Sequence, residues 1–524
     1  MKAPTLIRGF VTVGGWTLLS RVLGFARDIA IAAALGAGPV AEAFLVAFSL
    51  PNMFRRFFAE GAFNMAFVPL FSKKLEGDAE EAGDFAADAF AGMAFVLTLF
   101  SVAGVLLMPL LVVAMASGFL EDERFPLAVA YGRIAFPYIL FISLAALLSG
   151  VLNASGRFLA AAAAPALLNM IFLAALVVGW LLFGAELGEA TVERFGLALA
   201  WAVPLGGVSQ LALVWLAAAR AGFRLKLRRP RLTPDLRRLF RIAVPAALAG
   251  GVVQVNLLVG RQVASFFEGA VAWLNYADRL YQLPLGTVGI AIGIVLLPDL
   301  SRRLAAGDVA GGRDAFSRAV ELSLALTLPA AVALVAIPLP LISVLFERGA
   351  FDAGDTAATA LALAIYGAGL PAFVLQKALQ PLYYAREDTR APFRFALVAM
   401  VVNAVVAIGL APVIGFQAAA WATTLAGWAM VALLWHGARA MGPAARLDAR
   451  ALARLPRILA ASFGMGVLLV LLAAGLSGPL GSEHWRYPAL AGLVLAGMVS
   501  YFALGHLVGA FRLSEFRRNF RRRR

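Results

Sequence analysis

Arginine stands in this chain where a lipid bilayer should exclude it. The first apolar stretch contains SRVLGFARD, with Arg21, Arg27 and Asp28, and the second contains PNMFRRFFAEGAF, with Arg55, Arg56 and Glu60. A later one begins NYADRLYQLP, with Asp278 and Arg279. A charge at bilayer depth is costly, so a helix keeps one only where it faces a partner or a wet cavity. Arg21 and Asp28 are seven apart and share a helix face, and Arg56 and Glu60 are spaced to pair. That leaves Arg55 as the freer cation. Arg21 and Arg27 are six apart, roughly 240° round a helix. Gly24 lies between them as a hinge, permitting a bend or local unwinding that would aim both at one cavity.

Arg21, Arg27, Arg55 and Arg279 exceed what Asp28, Glu60 and Asp278 can neutralise. Surplus positive charge invites an anion, and guanidinium groups grip phosphate oxygens in a fork. The expected ligand is therefore a phosphate or pyrophosphate. Arg133, Arg261 and Lys377 also lie near or within apolar runs. Arg133 and Arg261 read as salt-bridged or snorkelling side chains. No catalytic set is visible. The three histidines, His436, His484 and His506, fall in the last quarter, and no metal motif or P-loop occurs. Gly289 and Gly293 form a GxxxG, more often a packing feature than a site. The reading is a transporter rather than an enzyme, with no metal and no cofactor.

The elements that would carry these charges follow from composition. Of 524 residues, 62% are hydrophobic and 14% charged, against about 25% charged in a soluble domain. Apolar runs of membrane-spanning length recur throughout. The chain is expected to be an all-α polytopic membrane protein with spans near 9–35, 40–72, 86–115, 128–152, 159–183, 192–219, 237–266, 271–300, 315–346, 356–385, 391–411, 416–437, 455–476 and 487–511, fourteen in all. The N-terminal run is too long and too charged for a signal peptide and reads as a retained helix. Cysteine is absent, which excludes disulfides and thiolate metal sites. The net charge of +15 fits bases gathered in cytoplasmic loops, not nucleic-acid binding.

Loop charge tests the count. Basic connectors such as RAGFRLKLRRPRLTPDLRRLFR and SRRLAAGDVAGGRD alternate with non-basic ones such as GAGPVAEA, SGFLEDERF and FGAELGEATVER. Every second loop is basic, so both termini are expected in the cytoplasm, which requires an even number of spans. The two longest basic connectors read as amphipathic stretches lying on anionic lipid. They divide the chain into an N-lobe (1–219, helices 1–6), a linker (220–241), a C-lobe (242–437, helices 7–12), a second linker (438–454), helices 13–14 (455–511) and a basic tail (512–524). GAFNMAFVPLFSKKL and GIAIGIVLLPDLSRRL share a Pro, a Ser and two bases near a helix end. Two further segments share a short basic turn with an Asn beyond it, Asn169 or Asn403. Two like-oriented six-helix lobes imply pseudo-symmetry about the membrane normal, and favour alternating access over a static pore.

SRVLGFARD, AEAFLVAF, LPNMFRRFFAEGAFNMAFVP and NYADRLYQLPLGTVGIAIGIVLLP resemble the MurJ family of bacterial lipid II flippases, MviN-like members of the multidrug, oligosaccharidyl-lipid and polysaccharide exporter superfamily. The likeness extends over all the expected spans. It implies transport of undecaprenyl-pyrophosphate-linked peptidoglycan precursor from the inner to the outer leaflet of the cytoplasmic (inner) membrane. It also implies that the cavity arginines fall on Arg21, Arg27, Arg55 and Arg279, supported by Asp28, Glu60 and Asp278. Helices 13 and 14 would line a groove for the lipid tail. One departure is Glu42, where some relatives have Asp. An anionic cargo makes membrane potential the expected energy source, with cation coupling as the alternative. Expected partners are lipid II, membrane lipids and cell-wall synthesis proteins. The rival readings are export of another polyprenyl-linked glycan or a drug, a membrane enzyme acting on polyprenyl phosphates, and a scaffold for cell-wall synthesis.

Overall fold

In a computed structural model the described residues are 3–55, 62–184, 188–223 and 228–511; at 3–11, 62–65, 243–257 and 287–295 the backbone alone is described. Arg56, Glu60 and the tail 512–524 lie outside the described residues. The described chain is helical throughout, without a strand; its one β-bridge joins Arg348 and Phe351.

By packing, the chain forms two compact units, Met1–Ala272 with Arg348–Phe351, and Trp273–Glu347 with Asp352–Arg524. The first contains α1 (Ala3–Leu35), α2 (Pro39–Arg55), α3 (Ala62–Gly77), α4 (Ala79–Leu106), α5 (Met108–Ala116), α6 (Arg124–Ala135), α7 (Tyr138–Ala154), α8 (Leu159–Phe183), α9 (Glu189–Arg220) and α10 (Pro234–Ala264). The second contains most of α11 (Ala270–Ala305), then α12 (Val309–Ala336), α13 (Pro338–Phe346), α14 (Ala353–Tyr384), α15 (Arg390–Ile414), α16 (Gln417–Ala438), α17 (Ala449–Gly475), the short α18 (Ser477–Gly481) and α19 (Arg486–Leu507). α10 packs on α3, α4 and α5, so it counts with the first unit by contact. The lobes expected from topology divide the chain by loop charge, a different criterion.

Among the described residues, helix falls within every expected span. Ten helical stretches among the described residues are long and apolar enough to cross a membrane. The four segments beyond those ten are α1, α2 with α3, α10, and α11, which include the charge-bearing stretches. Fourteen crossings therefore remain an expectation, while the polytopic helical class is observed.

Several expected spans are broken, and proline explains where. α4 runs 28 residues and stops at Leu107, and α5 then runs nine with Pro109 in its first turn. α12 also runs 28 residues and stops at Ile337, and α13 then runs nine from Pro338. Proline suits a first helical turn but cannot continue the ladder of the turn before it. The same 28-plus-9 plan in each unit is a structural echo of the internal repeat. α8 and α15 add another, since both run 25 residues and end at a positive-φ glycine, Gly184 or Gly415.

In the first unit the segment Arg348–Phe351 sits against the end of α1. Ala350 N–H donates to the Ala33 carbonyl at 2.9 Å. Gly36 has φ +64°, and a Cβ there would lie 2.4 Å from the Ala350 carbonyl oxygen. Gly36→Ala should therefore lower stability by about 2 kcal/mol, combining left-handed strain with a backbone clash. Gly38→Ala, where a Cβ meets nothing within 4 Å, should be near neutral. Equal melting shifts for the two purified variants would refute this account.

In the second unit α17 and α19 pair with each other and rest on α12 and α13. Ala461, Met465, Leu469, Leu493 and Tyr501 form the buried seam, and Tyr501 O–H donates to the Ala325 carbonyl at 2.6 Å. A charge cluster fixes the start of α17. Arg318 bonds Asp314, Glu321 and Asp448, and Arg454 bonds Glu321 at 2.7 Å. The outer faces of α17 and α19 leave Phe463, Leu471, Leu495, Val499 and Phe502 exposed, as a lipid-facing surface requires.

Candidate functional site

The four arginines meet different surroundings. Arg27 and Asp28 are both buried, Arg21 is exposed, and Arg55 and Arg279 are half-buried. α1 is helical without interruption through Gly24, so it is not unwound there in this conformation. Arg21 and Arg27 consequently keep the different faces that their spacing dictates.

Arg27 is held on three sides. Its Nε and Nη2 donate to Asp28 Oδ1 at 3.0 and 2.7 Å, and its Nη1 donates to Asn169 Oδ1 at 2.9 Å. Its guanidinium carbon lies 5.4 Å from the Phe172 ring centroid and 5.9 Å from that of Phe48. A guanidinium needs planar acceptors in plane and tolerates aromatic rings over its face, and this setting supplies both. Asn169 is fixed in turn, because its Nδ2 donates to the Ser20 carbonyl at 2.9 Å. That bond needs α1 and α8 close together. Gly24 lies against this amide, and a Cβ there would stand 3.4 Å from Asn169 Nδ2, an ordinary van der Waals contact. In the sequence Asn169 stands out only as a marker of the repeat. The signal for its partnership is a lone amide in the apolar run LAAAAAPALLNMIFLAAL.

Arg55 is the last described residue of α2 and is half-buried. In the second unit, Asp278 accepts a hydrogen bond from Gln282 one turn later on α11. Beside it Tyr281 is buried against Tyr366 and Phe373, with ring centroids 5.7 and 5.9 Å away. Of the supporting carboxylates, Asp28 contacts an expected site arginine directly, and Glu60 lies outside the described residues. Arg133 is exposed and Arg261 half-buried; Arg261 Nη1 stands 3.6 Å from Met115 Sδ.

A second buried ionic centre lies in the first unit. Glu42 is fully buried. Its Oε2 accepts from Arg124 Nη1 at 2.9 Å, and its Oε1 accepts from Val271 N–H at 2.9 Å. Arg124 also bonds Asp122 and stacks over Phe119 at 4.3 Å. Burial alone would raise the Asp122 carboxyl, but its hydrogen bonds from Arg124 outweigh this and hold it below the ordinary value. Nearby, Ser117 N–H donates to Gln262 Oε1 at 3.1 Å and Gly118 N–H to Ser265 Oγ at 3.0 Å. These bonds tie α2, the turn before α6, the end of α10 and the start of α11 together. The sequence assigns Arg124 no role, because it falls in an acidic loop whose net charge hides one arginine among three acids.

Chemically, the first unit offers a rigid, cation-bearing wall within apolar helices. That suits an anionic group that must leave water without entering lipid.

Comparison with known proteins bears on the family and the fold. A family model described as "Lipid II flippase MurJ" matches residues 31–485. A probable lipid II flippase MurJ of Rhizobium tropici is 44% identical over 99% of this chain and 97% of its own length. That of Rhizobium meliloti (strain 1021) is 45% identical over the same shares. A solved structure titled "Lipid II flippase MurJ, inward closed conformation" superposes with a TM-score of 0.77 at 24% identity, covering 95% of this chain and 98% of that one. An inward-facing multidrug-resistance MATE transporter of the MOP superfamily shares the fold at a TM-score of 0.61 and 16% identity, covering 81% of this chain and 95% of its own. With a family match across most of its length and relatives above 40% identity end to end, this multi-pass membrane chain belongs to the lipid II flippase MurJ family.

Proposed function

We propose that the protein carries lipid II from the inner to the outer leaflet of the bacterial inner membrane by alternating access. The observation that carries this reading is the buried Arg27–Asp28–Asn169 cluster inside the apolar helices of a chain in that family. Arg27 is held by protein groups and paired with Asp28, so its role is to fix the shape of the wall. The more accessible Arg21, Arg55 and Arg279 are the groups that grip the diphosphate.

The physical logic is differential cost. A diphosphate crossing hydrocarbon unaided faces a prohibitive desolvation barrier, while its polyprenyl tail is at home there. A cation-lined chamber replaces the water shell of the head, and the tail stays in lipid along the exposed faces of α17 and α19. An outside-positive potential favours outward movement of an anion by about 2.3 kcal/mol per charge per 100 mV. Voltage is therefore sufficient in kind to drive export. Both termini face the cytoplasm in this reading, as the alternation of basic loops requires.

Depletion-rescue tests the proposal. In cells lacking their own flippase, wild type should restore growth and surface accessibility of lipid II. Arg27→Ala and Arg279→Ala should fail at matched membrane levels. Failure of well-expressed wild type would redirect the substrate to another glycolipid, and full rescue by both variants would remove the arginine site.

A further inference from the structure

The start of α10 concentrates cations that the transport path does not use. Thr233 caps the helix, its hydroxyl accepting from Leu236 N–H at 3.3 Å. Leu236 and Leu239 are buried and seat the first turns on the first unit. Asp235 is taken by Lys74, 2.9 Å away. Arg237, Arg238 and Arg241 are left on the outward side, all exposed. With Leu232 and Pro234 they line a hollow of about 340 Å³.

Three further facts set this cluster apart from an ordinary basic loop. The spacings 237–241 and 238–241 put the guanidinium groups within about one turn of each other, so they repel. Among the described residues, no carboxylate pairs with any of the three. Arg228 of the same connector, by contrast, is bonded to Asp84 at 2.6 Å and lies 3.7 Å from Asp88. The cluster is also flanked by apolar side chains facing outward, Leu232 at 62% exposure and Ile242 at 47%.

A ligand that relieves all of this is anionic at one end and apolar beside it. We infer that Arg237, Arg238 and Arg241 form a headgroup site for an anionic phospholipid, whose acyl chain lies over Leu232 and Ile242. A soluble phosphate would satisfy the arginines but leave both apolar side chains in water. The cluster opens the expected span 237–266, the depth at which headgroup phosphates lie. An occupied site screens the repulsion in the first turns of α10, and so ties the seating of that helix to membrane composition. This inference rests on the chain being a membrane protein and is independent of which glycolipid it carries.

The test uses the full-length protein in neutral detergent, with lipid binding read by native mass spectrometry. Wild type should retain phosphatidylglycerol in preference to phosphatidylcholine. The Arg237→Gln/Arg238→Gln/Arg241→Gln variant should lose one phosphatidylglycerol site, with affinity down about a hundredfold for three bases near an anionic headgroup. Leu232→Ser, which keeps every charge, should weaken the lipid several-fold. Unchanged occupancy in the triple variant overturns the site. Displacement of the lipid from wild type by millimolar inorganic phosphate overturns the lipid assignment in favour of a soluble anion. If the triple variant does not fold, wild type still decides. Its phosphatidylglycerol binding should fall steeply from roughly 0.05 to 0.5 M salt, and salt-insensitive binding overturns the proposal.

Discussion

Arg124→Ala should destabilise the protein by about 3 kcal/mol or more, among the largest single losses in the first unit. The reason is what it leaves behind. Glu42 is fully buried, and among the described residues Arg124 is its charged partner at 2.9 Å. Without the guanidinium, a carboxylate is stranded away from water with only backbone N–H groups, those of Gly269 and Val271, to satisfy it. Asp122 and the Phe119 ring lose their partner as well. Chemical unfolding of the purified protein in micelles measures the loss. A double change, Glu42→Gln with Arg124→Gln, removes both charges and should recover much of it, because an uncharged amide can still accept from Val271. A loss below about 1 kcal/mol for Arg124→Ala would mean that water reaches Glu42 and that the pair is not a buried one.

Arg27→Lys should abolish rescue of flippase-depleted cells almost as completely as Arg27→Ala. Charge is kept in the lysine variant, so a purely electrostatic role predicts survival. The geometry predicts otherwise. Arg27 bonds Asp28 through two nitrogens and Asn169 through a third while packing against the touching rings of Phe48 and Phe172. A single ammonium cannot reproduce that planar fork. Asn169→Ala leaves the Ser20 carbonyl without its side-chain donor and Arg27 Nη1 without its acceptor. It should weaken the α1–α8 contact by about 1–3 kcal/mol and reduce transport without changing membrane insertion. Rescue by Arg27→Lys at wild-type level would show that charge alone matters. Wild-type transport in Asn169→Ala would show that the amide does not position Arg27.

The fold class is legible in the sequence because a bilayer imposes it. Apolar runs of spanning length can satisfy their backbone groups only as helices, and helix falls within each expected segment among the described residues. The cost of intramembrane charge likewise marks SRVLGFARD as a segment that needs polar partners, and Arg27 has them in Asp28 and Asn169. Breaks within spans are less legible, since proline is tolerated inside membrane helices. Pro51, Pro69 and Pro165 lie within continuous helices, whereas Pro109 and Pro338 begin new ones. Only the packing around each position separates the two outcomes.

By itself the sequence determined an all-helical membrane chain and its family. These depend on composition and local pattern, which every residue reports independently. Which residue partners which was decided by tertiary structure alone. Arg27 meets Asn169 across 142 positions and Arg124 meets Glu42 across 82. Neither separation carries a periodic signal, because such bonds arise only when close helix packing brings two lone polar groups together, as the packing of α1 on α8 does for Arg27 and Asn169. In an apolar medium a polar group must find whatever partner the packing offers, and the packing is a property of the whole fold.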